Sequence, residues 1–314
     1  MNSVTTPAIS YDRVSKRYGD FTALDTVSLD VGESEFVTLL GPSGSGKSTL
    51  LGLAVGSIEA DDGTIAIRGR DVRRLKPHQR NIGMVFQRYS LFPNRTIAEN
   101  VAYPLQIRKE PRGAVAAKVA GVLATMNLTA QADRYPSEIS GGQAQRAAVA
   151  RALVFQPDLL LMDEPLGALD KSLRAGLQEE IRRLQRDSGI PTLYVTHDQD
   201  EAMFLSDRIA LCNHGRLVAL GAPRALYEEP GSAWEACFLG EANILPVRQW
   251  TAERGEARAA LASGGVEVTT GIRPGVAATG NMVVMVRPEY VHVGSGVTSD
   301  MTTLPARIVD IVYL

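Results

Sequence analysis

Up to about residue 235, short apolar runs rich in β-formers alternate with longer stretches of helical periodicity. The runs are EFVTLL (35–40), NIGMVF (81–86), DLLLMD (158–163), PTLYVT (191–196) and RIALC (208–212). This rhythm predicts an α/β domain whose helices cover a mostly parallel sheet. After about Trp250 the texture changes to Gly, Val and Thr. VEVTT (266–270), MVVMVRPEYVHV (282–293) and ARIVDIVYL (306–314) alternate with period two between Gly and Pro turn signals. That pattern predicts a small all-β domain. The last amphipathic helix ends before GEANILPVR (240–248), which places the domains at 1–240 and 241–314. IVYL stops inside an apolar run, which would leave a small barrel an unpaired edge, so a truncated β domain is expected.

Composition supports two globular domains and removes several function classes. With 314 residues, of which 45% are hydrophobic, 22% charged and 6% aromatic, the chain is long enough for two cores and has no disordered or fibrous signature. Lys plus Arg number 33 against 35 for Asp plus Glu, a net charge of -2, so no basic excess points to nucleic acid. Cys212 and Cys237 lack metal-ligand or redox spacing and are expected to be buried thiols in a reducing compartment. The start, MNSVTTPAIS, has no basic region followed by an apolar one, and no run of 18 apolar residues occurs. Neither a secretion signal nor a membrane span is expected.

The sharpest chemical signal is GPSGSGKST, which spells Gly41, Pro42, Ser43, Gly44, Ser45, Gly46, Lys47, Ser48 and Thr49 between a predicted strand and a predicted helix. The glycines let consecutive N–H groups point inward, and the helix turns its positive end toward phosphate oxygens. Lys47 would reach the β and γ phosphates, and Ser48 would offer a hydroxyl to Mg²⁺. LLLMDEP (159–165) ends a strand in two acids. A parallel strand stops at the sheet's carboxyl edge, beside such a loop. Asp163 would complete the Mg²⁺ shell, and Glu164 would face the γ phosphate as a general base. Between them, ISGGQAQRAAVARAL (139–153) predicts a second helix start able to bind an anion, with Ser140 as N-cap. One nucleotide cannot easily use both helix starts of one subunit, so this one is expected to complete the site of a second copy.

Taken together, these residues resemble the nucleotide-binding subunit of an ATP-binding cassette (ABC) transporter over nearly the whole chain. The resemblance implies a P-loop cassette of α/β fold with a helical subdomain, and Mg²⁺-dependent ATP hydrolysis. It also implies a homodimer, or paired cassettes, in which Ser140, Gly141, Gly142 and Gln143 of one subunit cover the ATP held by the P-loop of the other. Tyr18, in SKRYGDFTAL, matches the aromatic that stacks on adenine. Gln87, closing NIGMVFQ, matches the glutamine that touches Mg²⁺ and the attacking water. Asp170, in LGALD, matches a contact to the opposite subunit, and His197, in TLYVTHDQDEA, the histidine at the γ phosphate. His78, His214 and His292 match no such position. Tyr89, Leu91, Phe92 and Pro93 follow Gln87 where the family receives a helix of its membrane permease. The sequence departs from the family at Ile139, where Leu is common, and at GSIEADDG (56–63), which replaces a more familiar AGLE-type stretch. Neither departure touches a phosphate contact.

A single cassette with no heptads and no basic patch fits a transporter motor better than a soluble cassette protein of translation or DNA repair. Glu164 and His197 argue against a non-hydrolysing sensor. A separate ATPase chain with a C-terminal β domain is similar to importers that work with an extracytoplasmic solute-binding protein, the β domain being an OB-like regulatory (TOBE) module. HQRNIGMVFQRYSLFPN, MDEPLGALDKSLR, VTHDQDEAMFLSDRIAL, ALYEEP and FLGEANILP look most like the spermidine/putrescine group. Importers of ferric iron, thiosulfate, aminoethylphosphonate and sugars come next. The resemblance implies a peripheral position on the cytoplasmic face of the inner membrane.

Overall fold

The computed structural model describes residues 6–87, 89–167, 171–253, 256–262, 266–271, 282–292 and 302. Its contacts divide into two units, Met1–Pro223 and Arg224–Leu314.

The first unit opens with β1 (Ile9–Tyr18), β2 (Phe21–Val31), β3 (Phe36–Leu40) and α1 (Lys47–Val55), followed by β4 (Asp62–Ile67), β5 (Arg70–Asp71) and β6 (Ile82–Val85). Three helices come next, α2 (Ile97–Ile107), α3 (Arg112–Thr125) and α4 (Gly141–Leu153). The chain then returns to strands with β7 (Leu159–Asp163), α5 (Lys171–Ser188), β8 (Thr192–Thr196), α6 (Gln199–Leu205), β9 (Arg208–Asn213) and β10 (Arg216–Gly221). All five apolar runs of the sequence are strands. With β10 they form a six-stranded sheet in the order β10-β9-β3-β8-β7-β6, parallel except for β10.

Alternating side chains of this sheet go to two cores. Val37, Leu39, Leu159, Leu161, Leu193 and Val195 pack with α1 and the N-terminal strands. Phe36, Leu160, Met162 and Tyr194 pack with α2, α3, α4 and α5. Burial on both faces explains why β3 and β7 are apolar at nearly every position instead of alternating. A second sheet, β2-β1-β4-β5, is antiparallel and was not legible in the sequence. Register shifts along the β1–β2 ladder break the alternation that would have announced it.

The helices of the second core start with side-chain caps. Thr96 and Glu99 close a capping box on α2, as Ser140 and Gln143 do on α4. Asn100 is fully buried on α2 and fixes the preceding loop, accepting from Phe92 N and donating to the carbonyls of Phe92, Arg95 and Thr96.

The second unit holds most of α7 (Pro223–Glu228), then α8 (Ala233–Phe238), β11 (Asn243–Glu253), β12 (Glu256–Leu261), β13 (Glu267–Gly271) and β14 (Val283–Val286). Its strands form an antiparallel sheet in the order β13-β12-β11-β14. The strand texture begins at Asn243, earlier than the expected change near Trp250. MVVMVRPEYVHV is not one long strand, because β14 ends before Pro288 and a 3-10 turn, Pro288–Tyr290, follows. β12 escaped notice because its buried positions are Ala257, Ala259 and Leu261, and alanine is a poor strand signal. Arg287 is buried and donates to the carbonyls of Tyr227, Ala236 and Glu241, tying α7 and α8 to β14 within this unit. The run ARIVDIVYL lies outside the described residues.

Candidate functional site

Four neighbouring strands, β3, β8, β7 and β6, stop along one edge of the large sheet, and the candidate residues follow their ends. Gly41 comes after β3, His197 after β8, Asp163 closes β7 with Glu164 just after it, and Gln87 lies two residues beyond β6.

The loop after β3 is built by close packing. A Cβ at Gly41 would stand 2.2 Å from the carbonyl oxygen of Cys212 on β9, so only glycine fits. Gly46 has φ +100 and faces the Ala23 carbonyl, a left-handed turn that hands the chain to α1. The β9–β10 turn braces the loop, with Gly215 N donating to Ser45 O and Asp25 N to Gly215 O. Lys47 is buried and donates to the carbonyls of Gly41 (2.7 Å) and Pro42 (2.9 Å). Burial lowers the pKa of this ammonium, against the pull of the Glu164 and Asp163 carboxylates. The Ser45 hydroxyl is buried with no partner among the described residues. A buried donor without a partner, in a loop of close-set backbone, suits an anionic oxygen.

Asp163 faces the same loop. Burial, and then the neighbouring Glu164, push its carboxyl above the usual carboxylate range, while Lys47 and a hydrogen bond from Ser48 oppose the rise. Glu164 has φ +43, a left-handed backbone uncommon for a residue with a side chain, and its N–H donates to Val195 O on β8. Its two carboxylate oxygens are shared. Oε1 lies 3.1 Å from His197 Nδ1, and Oε2 accepts from Gln87 Nε2 at 3.4 Å. Gln87, Glu164 and His197 therefore meet at one point. The His197 side chain is 60% exposed and free to reach a ligand in front of the sheet edge.

The remaining candidates stand apart. Ser140 caps α4 by accepting from Gln143 N, while Gln143 Oε1 accepts from Ser140 N. Ser140 and Gly141 are exposed and Gly142 is buried. Tyr18 ends β1 with its ring 49% exposed and Lys16 Nζ 5.4 Å from its centroid. Asp170 lies outside the described residues. Of the segment after Gln87, Tyr89 and Leu91 pack against the helical core, and the Phe92 ring meets that of Tyr103 at a tilt, with centroids 4.6 Å apart. The more open apolar surface on these helices is a groove of 720 Å³ between α2 and α3, lined by Ala98, Ala102, Val115, Val119 and Leu123. Cys212 is buried as expected, but Cys237 is exposed, since it sits on the outer side of the short helix α8.

Residues 24–167 match the family described as ABC transporter. The chain is 41% identical, over 98% of its length, to the spermidine/putrescine import ATP-binding protein PotA of Thermobifida fusca, of which it covers 81%. The chain belongs to the ABC transporter ATP-binding proteins. It is also 44% identical to the sulfate/thiosulfate import ATP-binding protein CysA 2 of Chromobacterium violaceum, over 97% of this chain and 81% of that one. Among solved structures, the ATP-binding cassette MJ0796, a dimer in a post-hydrolysis state bound to ADP and Pi, superposes with a TM-score of 0.61 at 31% identity. That match covers 69% of this chain and 99% of MJ0796. The chain is thus an ABC-type ATPase, a cassette motor of the import class.

Sequence reasoning missed the residues behind the site. Arg174, Tyr194, Asp198 and Glu201 form a network under His197. A local signal existed only for Asp198, an Asp placed just ahead of an amphipathic helix. Among the described residues no cluster of three or more His, Cys, Asp or Glu is placed to hold a metal. The same residues include no helix long and apolar enough to cross a membrane.

Proposed function

We propose that this ATPase hydrolyses ATP between two copies of itself to drive solute import through a partner permease, with polyamines as cargo. The observation that carries this reading is the meeting of Gln87, Glu164 and His197 at the strand ends beside Lys47. Cleavage of the β–γ bond needs charge neutralisation and a water in line. Lys47 and the N–H groups of Ser43–Thr49 take the phosphate charge, while Glu164 orients and deprotonates the water. His197, held by Glu164, donates toward the γ phosphate, and Gln87 keeps the Glu164 carboxylate turned to the same side. Tyr18 offers its open ring to the adenine.

The donors fit Mg²⁺. Ser48 and Asp163 are hard oxygen ligands, and Gln87 offers an amide oxygen. Mg²⁺ takes few protein ligands, in keeping with a site of one carboxylate, one hydroxyl and one amide oxygen. When bound, it would neutralise phosphate charge.

Ser140–Gln143 begin an Ala-rich helix whose N-terminus is capped and exposed, a start suited to covering the γ phosphate of a second copy. Asp170 would contact that copy. The permease would dock on the helical face from Gln87 to Pro93 and the adjoining α2–α3 groove. A solute-binding protein outside the cell would deliver cargo to the permease. The protein then works at the cytoplasmic face of the membrane, and the four-stranded C-terminal sheet is a regulatory module of the TOBE type. Polyamine cargo rests on the likeness to PotA; sulfate or thiosulfate is the second reading, on the likeness to CysA 2.

The test pairs chemistry with transport. Glu164→Gln should retain ATP binding and lose ~10²-fold or more in turnover, the size of a general-base contribution. Cells with this variant should lose uptake of labelled spermidine and putrescine and keep thiosulfate and ferric iron uptake. Loss of thiosulfate uptake instead keeps the motor and replaces the cargo, and near-normal turnover by Glu164→Gln overturns the assignment of the base.

A further inference from the structure

His197 is held less by its own side chain than by the residues on either side of it. Thr196 Oγ1 donates to Glu201 Oε2 at 2.8 Å and accepts from Asp198 N at 3.0 Å. Asp198 uses one oxygen, Oδ1, to cap α6 by accepting from Glu201 N at 3.1 Å. Its other oxygen, Oδ2, accepts from Arg174 Nη1 at 2.6 Å. Glu201 is buried, and its Oε2 also accepts from Tyr194 Oη at 2.8 Å. The Oε1 of Glu201 faces Arg174 Nε at 3.8 Å. One guanidinium therefore serves both carboxylates of the segment that follows His197.

Arg174 comes from a different part of the chain. It lies in the first turn of α5, which opens at Lys171 soon after Glu164. Glu164 in turn touches His197, and its N–H is bonded to Val195 of β8. Arg174 bonds Asp198, the residue after His197, and His197 itself meets Glu164. Moving His197 therefore strains two bridges at once.

We propose that Arg174 is a positioning residue for hydrolysis: through Asp198 it sets where His197 meets Glu164. The proposal rests on the reading of Glu164 and His197 as the hydrolytic pair. A guanidinium is required because a planar fork can serve two carboxylates at once, whereas a lysine ammonium is a single point. Removal of the fork leaves the P-loop, Tyr18 and the Asp163–Ser48 contact in place, so nucleotide binding is kept while the water and γ phosphate lose their alignment.

The experiment measures kcat, KM for MgATP, equilibrium ATP binding and thermal midpoint on the full chain for Arg174→Gln, Arg174→Lys, Asp198→Asn and His197→Ala. Double variants of Arg174→Gln and Asp198→Asn with His197→Ala complete the set. Arg174→Gln is expected to lower kcat roughly 10- to 100-fold, the size of a misplacement effect, and to change ATP affinity less than about 2-fold. Arg174→Lys should restore part of the loss. Asp198→Asn keeps the helix cap, since Asn caps as well as Asp, and should lower kcat in the same way even where Arg174→Gln folds poorly. In the His197→Ala background neither change should cost further turnover, because both act through that residue. Additive losses, or losses that follow the thermal midpoint and ATP affinity, overturn the proposal. So does unchanged turnover in Asp198→Asn. If His197→Ala alone keeps normal turnover, the hydrolytic pair fails instead, which is a separate result.

Discussion

Glu164 and Cys212 show at the residue scale how surroundings set chemistry. Glu164 sits in a left-handed backbone that costs on the order of 1–3 kcal/mol for a residue with a side chain. The bonds from its N–H to Val195 and from Gly167 N–H to its carbonyl hold it there, and the same turn presents its carboxylate to both Gln87 and His197. Cys212 is the opposite case, a potential nucleophile silenced by packing. Burial pushes its thiol up to about 12, with Lys47 acting weakly the other way. At pH 8 it therefore stays a neutral thiol, and a thiolate is what reacts. Brief iodoacetamide treatment at pH 8 should modify Cys237, which is exposed, and leave Cys212 intact until denaturant is added. Intact-mass and peptide mapping will show this, and early labelling of Cys212 would mean that β9 opens readily.

At the scale of elements, the glycine-rich loop after β3 is shaped as much by β9 and β10 as by its own glycines. Gly41 lies against the Cys212 carbonyl, Ser45 O receives the Gly215 N–H, and Arg216 pairs with Asp25 on β2 at 2.6 Å. The exposed Arg216–Asp25 pair adds little, but the backbone contacts leave no room for an added methyl. Gly41→Ala is expected to destabilise the fold by about 1–3 kcal/mol, the cost of overpacking. Scanning calorimetry should show a fall of roughly 2–4 °C for each kcal/mol, and ATP binding should be lost with it. An unchanged midpoint would mean that the strand can retreat from the loop. Helix α4 follows from local rules alone, a Ser cap with a reciprocal Gln and then a run of alanines with high helix propensity.

At the scale of the whole molecule, the proposed pairing of the loop after β3 with the Ser140 helix start of a second copy predicts a change in mass. In Glu164→Gln, where hydrolysis is blocked, ATP is expected to shift the light-scattering mass from 33.8 kDa to twice that value, and exchange into ADP to reverse the shift. The thermal midpoint should rise with ATP concentration, because a ligand that binds only the folded form stabilises it by mass action. A mass that ignores ATP would argue against the paired arrangement.

The sequence by itself determined whatever local chemistry fixes. The Gly-rich turn ahead of a helix, the Ser140 cap, the two acids closing a strand and the buried parallel strands could each be read from spacing, residue type and period. The resemblance to ABC subunits then ordered them. The second sheet could not be read, because shifts along the β1–β2 ladder blur its alternation. The spread of Ala257 and Ala259 along β12 hid that strand as well. Only the tertiary structure decided the strand order β3-β8-β7-β6, which places Glu164 against His197 and Gln87 although Gln87 and Glu164 are 77 residues apart. It also decided that Arg174 reaches Asp198, and that the β9–β10 turn supports the glycine-rich loop after β3. The physical reason is that capping and turn formation act over three or four residues, whereas adjacency in a sheet is settled by how the whole chain buries its apolar faces.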